Sequence, residues 1–334
     1  MLKSSEFIPI TGTFVSPMRG DTGINNWGLA EWEYDFKLYK LLGMDTIVII
    51  SCEQESGGTW TSGLDPRSTT WSEDPNLISM FFRLAGKYGL KLYLGGTVGV
   101  SNLHRGYWKE EVKANAIFYE KMLSQFGHYK CFHGIYYSLE ALPWHFHYGD
   151  ILEGIAEQVH KLAPEKKKLL SPILYALTGD MSSHYALKDF EAVYGEMLGR
   201  LAGKLDYCAW QDAYFCPDCR MGEIQRPALE DRYQSARKIT ENSGAKFWAN
   251  IETFQRNHLG AGTHSDFRQI DYRSLAVKLQ TAAKYADKAI TFEFSTCMSP
   301  NAEWGSSRRL LERYLEMIGK DPVIIRNGIT NDKC

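Results

Sequence analysis

Two acidic residues stand where chemistry is possible. Glu140 ends the run GIYYSLE and Glu252 lies in WANIETF, each at the close of a short apolar stretch of the kind that forms a buried strand. A carboxylate in that setting is costly to desolvate, so it requires a partner or a task. Two such groups facing one bond are the minimal equipment for cleaving a glycosidic linkage. One stays protonated and donates to the leaving oxygen; the other is ionised and attacks carbon or activates water. Further polar and aromatic residues fall at comparable positions: Trp210, Gln211 and Asp212 in YCAWQDAYF with Tyr214 beyond them, Trp248 and Asn250 beside Glu252, and Glu293 in AITFEFSTCMSP. Arg19, Glu53, Tyr137, Trp144 and Trp304 complete a set suited to stacking on pyranose faces and hydrogen-bonding hydroxyls.

The elements that must carry these residues repeat along the chain. Apolar, β-rich runs occur at Ile8 to Val15, Thr46 to Cys52, Leu92 to Thr97, Gly134 to Leu139, Leu169 to Tyr175, Tyr207 to Gln211, Phe247 to Ile251 and Ile290 to Phe294. Between and after them the spacing predicts helices over Leu29 to Leu42, Asn76 to Tyr88, Lys109 to Phe126, Ile151 to Leu162, Leu187 to Ala202, Ala228 to Asn242, Tyr272 to Ala286 and Ser307 to Ile318. Gly43, Gly89 and Gly244 sit where helices should stop, and Asp74-Pro75 and Asp271 where they should start. Successive βα units without a dinucleotide fingerprint predict an α/β (β/α)8 TIM barrel, a single domain over 1–334. In such a barrel the C-terminal strand ends line the active face. The fourth and seventh ends then point across one mouth, bringing Glu140 and Glu252 toward each other.

Composition narrows the partners. With 38 basic and 40 acidic side chains the formal charge is -2, which gives no electrostatic footprint for nucleic acid or an anionic membrane. Seven cysteines in a chain of 334 residues form an odd set, suited to a reducing, cytoplasmic setting. No export leader and no membrane-spanning run is read in the sequence. Nine tryptophans and nineteen tyrosines fit either a well-packed core or flat ligand faces.

Glu140 at the end of the fourth strand and Glu252 at the end of the seventh resemble the large superfamily of (β/α)8 glycoside hydrolases with an acid/base on strand four and a nucleophile on strand seven. ITGTFVSP, the Trp-rich start of the next helix, GIYYSLE and WANIETF also look like an uncharacterised bacterial family of glycosidase-like barrels, a domain of unknown function, over nearly the whole chain. The resemblance implies that Glu140 is the general acid/base and Glu252 the nucleophile, with Trp248, Asn250 and Trp210 in the sugar-binding shell; carboxyl groups about 5 to 5.5 Å apart would retain configuration and about 6.5 to 9.5 Å apart would invert it, and retention is the expectation. That superfamily usually places an asparagine just before the strand-four acid; here the position is Leu139.

Other readings bear on the same residues. Glu140, Asp180, Asp212 and Glu293 suit one divalent ion in a sugar isomerase or epimerase barrel, although such sites normally add a histidine at a late strand end. A non-catalytic carbohydrate-binding barrel would keep the aromatics and dispense with the acids. The expectation is a carbohydrate substrate with no cofactor and no metal. Cys216 and Cys219 have the spacing of half a zinc site but lack a second pair, so two loop thiols are expected. His145 and His147 are expected to line the pocket or face solvent. Gly95-Gly96-Thr97 lacks the phosphate-cradle pattern, and Glu165 to Lys168 reads as a solvated turn. GGTWTSGLDPRSTTW and the segment from Asn257 to Gln269 are expected to wall the pocket.

Overall fold

The computed structural model of the chain describes residues 6–17, 23–56, 59–69, 74–99, 105–139, 147–174, 187–212, 222–256 and 267–325. Its strands, in chain order, are β1 (Ile10–Val15), β2 (Thr46–Ile49), β3 (Glu53–Ser56), β4 (Thr59–Ser62), β5 (Lys91–Gly95), β6 (Thr97–Gly99), β7 (Phe132–Tyr137), β8 (Lys167–Leu170), β9 (Tyr207–Gln211), β10 (Lys246–Glu252), β11 (Phe254–Arg256), β12 (Phe267–Gln269) and β13 (Lys288–Phe292). The helices are α1 (Leu29–Leu42), α2 (Leu77–Tyr88), α3 (Trp108–Phe126), α4 (Tyr148–Leu162), α5 (Leu187–Arg200), α6 (Gly222–Asn242), α7 (Tyr272–Tyr285), α8 (Phe294–Cys297) and α9 (Ser307–Met317).

β1, β2, β5, β7, β8, β9, β10 and β13 close into a ring in that order, and β13 returns to β1. Neighbours in the ring run parallel. Because side chains alternate along a strand, each continuous apolar run splits into two layers. Phe14, Val48, Tyr93, Tyr136, Leu169, Ala209, Trp248 and Ile290 fill the lumen. Their alternates, among them Ile47, Leu94, Ile135, Tyr137, Trp210 and Ile251, belong to the larger core under the helices. This is a (β/α)8 barrel in one body.

The lower lumen is packed solid. Trp248 stacks on Tyr207 with ring centroids 4.2 Å apart and meets Tyr93 edge-on at 6.3 Å. Lys288 lies over Trp248, 4.9 Å from the ring, and donates to Thr46 Oγ1 at 2.7 Å and to Asp45. Gly134 makes the plug possible, since a Cβ there would fall 2.4 Å from Tyr93 Cε1.

The expected helix signals take physical form. Asn76, one residue past Asp74-Pro75, accepts from Ser79 N at 2.9 Å to cap α2, and Asp271 accepts from Arg273 N and Ser274 N to cap α7. Gly43 and Gly89 close α1 and α2 at positive φ of 88° and 65°. The strand expected from Leu169 to Tyr175 ends at Leu170, with Ile173 joined to Gln211 only by an isolated bridge, and two others are shorter because the chain leaves the ring early. After Ile49 and after Gly95 it enters a separate sheet of order β4-β3-β6, in which Glu53 pairs with Thr97. The stretch expected as strand to Phe294 stops at Phe292 and turns into α8. Between β10 and α7, β11 and β12 form an antiparallel hairpin, Phe254 opposite Gln269. No helix among the described residues is long and apolar enough to cross a membrane.

Candidate active site at the C-terminal mouth

Glu252 is the last residue of β10 and shares its inward face with Asn250 and Trp248, while Ile251 and Ala249 face the helices. It is 7% exposed. Directly below it lies a polar layer. Asn250 Nδ2 reaches past β9 to donate to Ser171 Oγ at 3.2 Å, Gln211 Nε2 donates to Ser171 O at 2.8 Å, and Ser171 Oγ donates to Ala209 O at 2.6 Å. Asn250 Oδ1 is buried and has no hydrogen-bond partner among the described residues. A buried acceptor of this kind is costly unless something else satisfies it, so the layer is built to receive a hydroxyl or a water.

The main chain of Glu252 is held from behind. Asp212 Oδ1 accepts from Glu252 N at 2.9 Å and from Lys278 Nζ at 2.9 Å, and the same Nζ donates to Glu252 O at 3.0 Å. Burial pushes the Asp212 carboxyl up from the usual carboxylate range, and Lys278 and the Glu252 amide oppose that shift.

Glu293, joined to Phe292 by a cis peptide bond, follows the last residue of the neighbouring strand and is buried. Its carboxylate accepts from Ser16 N at 2.8 Å and from Thr296 Oγ1. Behind it, Asp35 of α1 accepts from Ser295 at 2.8 Å, Ser299 at 2.6 Å and Tyr39 at 3.4 Å. Burial raises the Asp35 carboxyl to about 7, and the nearby Glu293 charge adds to the shift. Glu53 accepts from Ser62 Oγ at 3.0 Å in the rim sheet, and Glu55 of the same strand is buried. Trp304 is half-buried at the edge of the outer core, its carbonyl accepting from Gln269 Nε2 at 3.1 Å.

Four expected substrate contacts are corrected. Trp248 faces inward but lies two inward steps below Glu252, where it plugs the lumen against Tyr207. Trp210 points outward: its indole Nε1 donates to Thr240 Oγ1 at 2.8 Å and its ring packs on Phe190 and Tyr194. Tyr137 also points outward, its hydroxyl donating to Lys204 O at 2.8 Å. Asp212 turns away from the lumen to Lys278 and is fully buried. Strand alternation explains the last three, because each has an inward neighbour: Gln211 lies between Trp210 and Asp212, and Tyr136 precedes Tyr137. Its bond to Lys278 also removes Asp212 from a ligand set in the lumen. Among the described residues no group of three or more His, Cys, Asp or Glu side chains could hold a metal ion. Glu140, Arg19, Trp144, Tyr214, Asp180, His145, Cys216 and Cys219 lie outside the described residues.

Lys278, Ser171 and Asp35 were not anticipated. Two of them carried a signal. Lys278 falls on the stripe Leu275, Lys278, Leu279, Ala282 and Asp35 on the stripe Trp32, Asp35, Phe36, Tyr39, each a charge on an otherwise apolar helix face.

Comparison with solved structures places the chain beside sugar-processing barrels. A candidate alpha-L-fucosidase from Bacteroides thetaiotaomicron superposes with a TM-score of 0.80 at 25% identity, covering 95% of each chain. A GH18 chitinase from Pseudoalteromonas aurantia matches at 0.56 and 13% identity over 91% of this chain and 99% of that one. A GH2 beta-galacturonidase from Eisenbergiella tayi matches at 0.54 and 12% identity over 92% of this chain and 51% of that one. The latter two similarities are of fold alone. A sequence comparison with curated proteins finds no match. The family described as Domain of unknown function (DUF4434) matches residues 10–304, and the chain therefore belongs to that family.

Proposed function

We propose that the protein is a glycoside hydrolase that cleaves an oligosaccharide or glycoside by a retaining, two-carboxylate mechanism. The observation that carries the reading is the placement of Glu252. It is an inward carboxylate at the C-terminal end of β10, above a polar layer with an unsatisfied amide oxygen, in a barrel whose lumen is otherwise apolar. In this reading Glu252 attacks the anomeric carbon. Glu140, three residues beyond the end of β7, donates its proton to the departing oxygen and then activates the water that releases the sugar. Asn250 and Gln211 hold sugar hydroxyls, and Glu293, Glu53, Arg19, Tyr214, Trp144 and Trp304 are the further candidate contacts of this reading. The substrate is a carbohydrate, the reaction takes no cofactor, and the setting is the cytoplasm.

The resemblance to a candidate alpha-L-fucosidase makes an aryl alpha-L-fucoside the first compound in a panel of aryl glycosides. Glu140→Gln and Glu252→Gln, each confirmed as folded, should lower kcat by about 10²- to 10⁴-fold. The first-formed sugar, followed by NMR, should keep its anomeric configuration. Unchanged rates in both variants would remove the assignment, and sugar binding by a wild-type protein that turns over nothing would favour a carbohydrate-binding barrel.

A further inference from the structure

We infer that Asp212 and Lys278 are a positioning pair for Glu252, acting through its main chain; this rests on the role proposed above for that carboxylate. β9 ends at Gln211, so the strand that supports β10 runs out just where Glu252 needs support. The Asp212 main chain still donates to Asn250 O at 3.1 Å, but the next donor, Glu252 N, is taken by the Asp212 side chain. Lys278, reaching in from the middle of α7, closes the arrangement by donating both to that carboxylate and to Glu252 O. Both polar groups of the Glu252 main chain are thus fixed by one ion pair that ties together β9, β10 and α7.

Stability does not account for the pair. Lys278 is 3% exposed and Asp212 fully buried, and well-packed apolar side chains in place of a buried ion pair are commonly neutral or stabilising. A lysine on the buried stripe of α7 is therefore an expense that packing alone would not maintain. What the pair secures is position. A reacting group displaced by as little as about 1 Å loses on the order of 10²-fold in rate. On its other side Glu252 lies opposite Phe292 of β13 and Thr253 N donates to Phe292 O at 2.9 Å, so the pair supplies the support that the shorter β9 leaves out.

The test uses the full chain with Asp212→Leu and Lys278→Met combined, which replaces the ion pair by apolar side chains, and Asp212→Asn, which keeps an acceptor for Glu252 N. Turnover is read on 2,4-dinitrophenyl glycosides, beginning with the alpha-L-fucoside, alongside thermal stability and amide hydrogen exchange at Glu252. The double variant should keep or raise Tm and lose roughly 10²-fold in kcat with little change in KM. Its Glu252 amide should lose protection, and Asp212→Asn should lose less of both. A double variant with wild-type kcat, in a protein that Glu252→Gln inactivates, overturns the positioning role and leaves the glycosidase reading intact. A fall in Tm with unchanged kcat does the same. If the wild type cleaves none of the glycosides, that result counts against the glycosidase reading and amide exchange decides the pair by itself: unaltered protection at Glu252 refutes it.

Discussion

Trp248 and Glu252 project from the same face of one strand, four residues apart, yet one seals the barrel and the other lines its mouth. At the rise of an extended chain their main-chain positions are separated by about 13 Å, with Asn250 of the polar layer the single inward residue of the strand between them. An indole at Trp248 cannot stack on a ligand that reaches Glu252. Its partners are Tyr207, Tyr93 and the Lys288 ammonium.

Truncating that plug should therefore cost stability and spare recognition. Trp248→Ala removes a buried ring from a layer that cannot collapse, so a loss of about 3–5 kcal/mol is expected in urea unfolding. KM for whichever aryl glycoside the wild type cleaves should stay within about twofold, since the ground-state contacts are elsewhere. A stable variant with a sharply raised KM would return Trp248 to the binding shell.

Trp210→Phe provides the matching experiment on the outer layer. It deletes the donor to Thr240 while filling most of the same space, and should cost about 1 kcal/mol with no change in KM. Thermal unfolding together with steady-state kinetics checks both parts. A KM effect would contradict the outward placement of the ring.

Asp35 should imprint a pH dependence on stability. Its carboxyl is raised from 3.8 to about 7 in the folded protein, so the native state holds a proton that the unfolded chain releases earlier. The contribution is present below pH 4, declines as pH rises from about 4 to 7, and amounts to about 4 kcal/mol at roughly 1.4 kcal/mol per pKa unit. Asp35→Asn, which is neutral throughout, should lose that slope. Unfolding free energies of both proteins at pH 4.5, 6 and 8 give the comparison, and parallel curves would show that Asp35 does not titrate in this window.

The ring was legible because βα barrels write their plan in composition. Apolar runs punctuated by Gly43, Gly89 and Asp271 mark where each unit ends and begins, and α1, α2 and α7 form within a residue of those marks. Five of the expected strands overran at their C-terminal ends: β2 and β5 pass into a rim sheet, β13 gives way to the helical turn of α8, and β7 and β8 stop at Tyr137 and Leu170, short of the expected Leu139 and Tyr175. Orientation was within reach of the sequence and was missed. Once Gln211 faces inward, alternation obliges Trp210 and Asp212 to face the helices. Depth was not within reach, because nothing in WANIETF distinguishes a tryptophan at the floor from an acid at the rim. The support behind Glu252 was readable only indirectly, as a lysine breaking the apolar stripe of α7. Its partner on β9 is distant in sequence and near only after closure.

The stack of Trp248 on Tyr207, capped by Lys288 and Asp45, makes the barrel a blind well instead of a tunnel. Among the described residues the floor offers no way through, so in the proposed reaction a sugar over Glu252 would arrive and depart on the mouth side, and the attacking water would come from that side too.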